Sequence, residues 1–106
     1  MIHAKQPRAK RYAFVAGAEL IEVDSTAQLK EKITDLSLFG CHVATKNPWQ
    51  PGTRLRIRIS HNGASFSALG TVAQVQPGLG MGILFTQIGP NEQTVLDSWI
   101  AALRDK

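Results

Sequence analysis

Apolar and charged residues alternate most cleanly over Thr53-Arg-Leu-Arg-Ile-Arg-Ile-Ser60, with Leu55, Ile57 and Ile59 on one face and Arg54, Arg56 and Arg58 on the other. A period of two is that of a strand with one buried and one wet face. Asn62-Gly63 follows, a pair suited to the type I′ hairpin turn because both residues tolerate positive φ. It predicts a return strand from Ala64 to Val75, in which Gly70 marks a bulge or a bend. Pro77-Gly78 turns the chain again, and Met81, Ile83 and Phe85 alternate in a further strand. Upstream, Tyr12 to Val23 is apolar and interrupted by Gly17, and Leu29 to Thr34 is a more mixed extended segment. Asp24-Ser25-Thr26 makes the turn between them, with a helical turn over Thr26 to Lys32 as the alternative. Cys41, Val43 and Thr45 alternate in a short strand that ends at Asn47-Pro48 and Pro51-Gly52.

The period changes after Gly89-Pro90. Val95, Leu96, Trp99, Ile100 and Leu103 recur at helical spacing and predict a helix over 90–104. Pro90 suits its first turn, Glu92 the positive end of its dipole and Arg104 the negative end. The order is therefore six strands and then one helix. Short antiparallel strands joined by tight turns predict a mainly β fold, a small closed or nearly closed barrel, because closure removes exposed strand edges. The helix covers one opening or one side.

One domain accounts for all 106 residues. Hydrophobic residues make up 43% and charged residues 19%, ordinary globular usage that excludes a wholly disordered chain. No apolar stretch reaches the length of a membrane span, and no basic start leads into an apolar core, so membrane insertion is not expected and the cytoplasm is the expected address. Cys41 is the only cysteine, which excludes an internal disulfide or a cysteine-rich zinc site and places it in the core as a small hydrophobe.

The net charge of +4 lies at one end. Lys5, Arg8, Lys10 and Arg11 stand in the first eleven residues without an acid, whereas eight Lys and Arg balance eight Asp and Glu from Tyr12 onward. The expected organisation is a flexible basic arm over 1–10 and a neutral barrel domain over 11–106. DNA and RNA binders usually spread cations over a face, so this arrangement points to a small, localised anion instead. A solvated leader is the plainer reading of the same charges.

Two segments carry candidate chemistry: the arm ending Arg8-Ala9-Lys10-Arg11-Tyr12, and Asp35-Leu36-Ser37-Leu38-Phe39-Gly40 between two strand candidates. Together they resemble the PilZ domain family, whose members carry an Arg-x-x-x-Arg arm before the first strand and an Asp/Asn-x-Ser-x-x-Gly motif between early strands. Gly80-Met-Gly-Ile-Leu-Phe85, followed by a helix, is also similar to that family, and the likeness runs from Arg8 to the C-terminal helix. The resemblance implies a six-stranded antiparallel split β-barrel with a C-terminal helix. It implies a receptor for the bacterial second messenger cyclic di-GMP that signals to a protein partner, with no cofactor and no enzymatic turnover.

Cyclic di-GMP carries two phosphates and two guanines. Arg8 and Arg11 suit both, since a guanidinium pairs with phosphate or with guanine O6 and N7 and stacks on a base. Asp35 can accept from the guanine N1–H and amino group, Ser37 can donate or accept, and Gly40 allows backbone approach or a positive φ. Asp35 and Ser37 equally suit a turn that bonds its own backbone. The arm departs from the family pattern, reading Arg8-x-x-Arg11 with two intervening residues instead of three. The alternative function is a PilZ-like protein-interaction module that does not bind the nucleotide.

Arg54, Arg56 and Arg58 read as a solvated strand face. Trp49, in a Pro-flanked loop, either covers the barrel or meets a partner, and Trp99 reads as core. His3, His42 and His61 are scattered without metal-ligand spacing, no nucleophile elbow occurs, and the late glycines lead into a strand and not into a helix, so no catalytic or metal site is expected.

Overall fold

A computed structural model describes residues 9–106, which run β1 (Tyr12–Glu22), β2 (Gln28–Leu36), β3 (Gly40–Ala44), β4 (Arg54–His61), β5 (Ala64–Gln76), β6 (Gly80–Gln87) and α1 (Pro90–Arg104). The strands close into an antiparallel barrel in the order β1-β2-β3-β6-β5-β4. Closure is made by β1 on β4, from Gly17 opposite Ser60 to Glu22 opposite Leu55. Alternation does what its period predicts: Leu55, Ile57 and Ile59 fill the barrel while Arg54, Arg56 and Arg58 stay outside. Leu20, Ile33, Leu36, Val43, Phe66 and Met81 are among the other side chains of the interior, each burial contributing about 1.5–3 kcal/mol. Cys41 is buried and free, as expected.

The hairpin at Asn62-Gly63 has φ of 50° and 80°, as a type I′ turn requires, and pairs His61 with Ala64. Thr26 to Lys32 is not helical, since β2 begins at Gln28. That strand also runs two residues past the expected Thr34. Ile33 faces Val43 but Asp35 faces His42, so Thr34 is the extra residue of a bulge and the inward phase resumes at Leu36. The Asp-x-Ser-x-x-Gly segment therefore starts inside a strand, where a connection was expected. Between Leu69 and Gly70 the β5–β6 register shifts with Thr86 of β6 as the extra residue, so the bulge lies in the strand opposite Gly70, and Gly70 itself admits a close approach of the Leu84 carbonyl.

The helix lies across one end of the barrel, packed on β5 and β1 with Leu96 and Ile100 buried. Gly89 caps it without a side-chain bond, and Glu92 in its first turn accepts the Ser67 N–H at 2.6 Å, tying helix to barrel. The Trp99 ring faces Phe14 at 5.5 Å and Phe66 at 6.3 Å but is only partly buried, so it packs against the core and does not lie within it. Trp49 is half-buried against the core, so it covers the barrel. No helix among the described residues is long and apolar enough to cross a membrane.

Candidate functional site

The turn from Ser37 to Gly40 is built by one side chain. Ser37 Oγ accepts the N–H groups of Phe39 and Gly40, each at 3.1 Å, and donates to the Gly40 carbonyl at 3.3 Å. The Ser37 N–H donates to the same carbonyl at 2.9 Å. One donor and two acceptor sites are all that a hydroxyl has. With its residue 6% exposed, Ser37 shapes the turn from within and presents no free hydrogen-bonding site to a ligand.

Gly40 closes the turn at the start of β3, opposite Leu84 of β6. A Cβ here would collide with the Ile83 carbonyl oxygen. Of the two reasons for glycine at this position, close backbone approach applies, since Gly40 is not among the positive-φ glycines. The Phe39 carbonyl accepts the Phe85 N–H at 2.8 Å, fastening the turn to β6. This leaves the Phe39 side chain outside, 45% exposed, with Leu84 46% exposed on the same strand pair.

Asp35 is half-buried at the bulge of β2. Its Oδ1 accepts the His42 N–H at 3.1 Å, and its other carboxylate oxygen has no hydrogen-bond partner among the described residues. Arg11 stands exposed immediately before β1, with no ion pair among the described residues. Both charges reach the buried Cys41 thiol. Burial pushes that thiol's pKa well above its ordinary value, Asp35 raises it further, and Arg11 opposes them.

Arg11, Ser37, Phe39 and Gly40 line a shallow cleft of about 110 Å³ together with Gln74 of β5 and Gly82 and Leu84 of β6. Three of the five residues expected at the site, Arg11, Ser37 and Gly40, thus share one cleft. Asp35 stands beside them on β2, and Arg8 lies outside the described residues. Lys10, next to Arg11, turns instead toward Tyr12, its ammonium 5.3 Å from the ring centroid. Neither Gln74 nor Leu84 stands out in the sequence as a site residue. Gln74 reaches the cleft because the register shifts between Val72 and Gln74 and because Gly82, its partner on β6, leaves room for it. The available signal was Gly82, a missing side chain on a strand face. The arrangement offers a free cation, a carboxylate with an unused oxygen, a side-chain amide and two exposed apolar surfaces. That set suits a ligand both anionic and flat.

A larger cavity of about 510 Å³ lies between β1, the β4–β5 hairpin and α1, lined by Phe14, Val15, His61, Trp99 and Leu103 among others. Its aromatic rings pack on one another, Phe14 on His61 at 4.5 Å, and its lining holds neither an acid nor an arginine. Lys106 is a cation in its lining, but the cavity offers no guanidinium or carboxylate to read a guanine edge.

The family model described as PilZ domain matches residues 5–102. In fold the chain is similar to the PilZ domain of CeSA from a cellulose synthesizing bacterium, with a TM-score of 0.72 and 18% identity over 91% of this chain and 99% of that one. It is similar to the PilZ domain of YcgR from Escherichia coli with c-di-GMP, with a TM-score of 0.73 and 15% identity over 95% and 93% of the two chains. Against the Bacillus subtilis inhibitor of motility MotI/DgrA the TM-score is 0.74 at 16% identity, covering 96% of this chain but 53% of that one. At these identities the likeness is one of fold. No curated protein matches the chain in sequence.

Proposed function

The chain belongs to the PilZ domain family, and on that premise we propose that it is a receptor module that binds cyclic di-GMP and passes the signal to a partner protein. The observation that carries this reading is the shared cleft, in which Arg11 meets the Ser37–Gly40 turn with Asp35 alongside. Among the similar structures, that of the YcgR PilZ domain is one with c-di-GMP.

In this reading Arg11 pairs with a phosphate or with guanine O6 and N7, and Arg8 supplies a second guanidinium. The free oxygen of Asp35 accepts from the guanine N1–H and amino group. Phe39 and Leu84 offer apolar area to the base faces, and the Gln74 amide is placed to bond a base edge or ribose. Ser37 and Gly40 act through the shape of the turn. The ligand is held and not transformed, and its occupancy of the cleft supplies the signal.

A second reading is favoured by the arm, where Arg8-x-x-Arg11 is one residue shorter than the family pattern. In that reading the domain is an interaction module that does not take the nucleotide. Calorimetry with cyclic di-GMP, GTP and a short oligonucleotide separates them. Heat with cyclic di-GMP alone is expected, silence with all three favours the second reading, and heat with the oligonucleotide defeats both.

A further inference from the structure

Five of the eight Lys and Arg residues from Tyr12 onward fall on one side of the barrel, the outer face of β2, β1, β4 and β5. The register sets Lys30, Glu19, Arg58 and Ser67 in one row across these strands, and Gln28, Ile21, Arg56 and Leu69 in the next. Lys32 and Arg54 flank them, both exposed. The acids facing these cations are Glu19, between Lys30 and Arg58, and Asp24, whose carboxylate holds Arg54 at 2.8 Å. Both partners of that pair are well exposed, so water weakens it. Arg56 and Arg58 have no ion pair among the described residues.

Apolar side chains interleave with the cations. Ile21 is 43% exposed beside Arg56, Val23 is 49% exposed beside Arg54, and Leu69 is half-buried on the other flank of Arg56. Protein interfaces enrich arginine together with apolar area. A nucleic acid gains nothing from Ile21 and Val23, and these rows contain no aromatic on which a base would stack. A flat membrane meets the convex outside of a barrel along a strip only, so it engages few of these charges at once.

We propose that this face docks an acidic helix of a partner protein through carboxylates on Arg56 and Arg58 and apolar residues on Ile21, Val23 and Leu69. The spacing fits. Alternate residues of a strand advance about 6.6–6.8 Å, and carboxylates four apart on a helix advance about 6 Å, so successive acids meet successive arginines. Around the ring β1 lies opposite β6, and β4 opposite β3. The face therefore lies across the barrel from the Ser37–Gly40 cleft, and the two can be occupied together.

The test is a fluorescence-anisotropy titration of the full chain with a synthetic helical peptide carrying Glu at i, i+4 spacing and Leu on the adjacent stripe. Phosphatidylglycerol vesicles and a duplex DNA of equal charge serve as competing probes. The peptide is expected to bind, to weaken as salt rises, and to lose at least about tenfold in affinity with Arg56→Glu/Arg58→Glu. Glu19→Gln, which removes the carboxylate between Lys30 and Arg58, should tighten it. Arg56→Ala/Arg58→Ala repeats the loss without reversed charge, and circular dichroism confirms the barrel in each variant. Absence of peptide binding, equal binding by the arginine variants, or tighter binding of vesicles or DNA overturns the proposal.

Discussion

Asp35 accepts the backbone N–H of His42 with one carboxylate oxygen, at 3.1 Å, and keeps the other oxygen without a partner among the described residues. One side chain thus has a structural half and a chemical half. Asp35→Asn retains an oxygen for His42 and removes the charge, so unfolding in urea should change little while cyclic di-GMP affinity falls. Asp35→Ala removes both, and should cost about 0.5–1.5 kcal/mol of stability besides. The binding loss in either variant is expected at about ten- to hundredfold, read by calorimetry.

Ser37 and Gly40 should behave differently from Asp35. Ser37→Ala leaves the N–H groups of Phe39 and Gly40 without their acceptor and should destabilise by about 1–3 kcal/mol. Gly40→Ala drives a methyl group into the Ile83 carbonyl and should cost about 1–3 kcal/mol as the β3–β6 pairing gives way. Urea midpoints measure both. A normal midpoint with lost binding would instead make Ser37 a direct ligand.

Among the described residues every buried core residue lies at Phe14 or beyond, and a chain lacking residues 1–10 should still fold, by circular dichroism, while its nucleotide affinity falls. Within the arm, Arg8→Ala should lose at least about tenfold, and Pro7→Arg should gain less than that because the phosphate is already served. Normal binding by Arg8→Ala with a large gain from Pro7→Arg would favour the interaction-module reading.

Burial raises the Cys41 thiol's pKa above its ordinary value of 9.0, with Asp35 adding and Arg11 opposing. In the folded protein the thiol keeps its proton where the unfolded chain has lost it. Its contribution to stability is therefore complete below pH 9.0 and declines above it, by at most about 1.4 kcal/mol per pH unit. Urea unfolding between pH 7 and pH 10 should show a fall that is smaller in Cys41→Val. Iodoacetamide should label Cys41 in urea and spare it in the native protein.

Alternation makes β4, the hairpin at Asn62-Gly63 and α1 legible in the sequence alone, because each is specified by neighbours in the chain. Asp35 was expected in a connection and sits in a strand, since the bulge at Thr34 breaks the period by which strand ends are read. Gln74 is hidden for the same reason, since the way it faces depends on a register shift, whereas Leu84 is legible as outward from the alternation of Met81, Ile83 and Phe85 but its place beside the Ser37–Gly40 turn depends on pairing with distant β3. The residue types at Ser37 and Gly40 announced a tight turn. That the hydroxyl bonds within the turn is one of the two readings those residue types allow, whereas the need for glycine through close approach and not positive φ depends on β6, which the local pattern does not contain.

Barrel closure bears on the order of events in folding. β1 finds β4 only across the intervening β2 and β3, a non-local pairing of the kind that slows barrels to about milliseconds to seconds. Arg11 immediately precedes β1, whereas the Ser37 turn is knit by contacts three residues apart. The turn can form early, and the pairing of Tyr12 with Leu36 in the β1–β2 hairpin brings the cation beside it, whereas the other half of the cleft, Gln74 and Leu84, arrives only when β6 pairs with β3 and brings β5 with it. A nucleotide that needs both would then recognise the completed barrel alone, and its presence would draw late intermediates toward the native state by mass action.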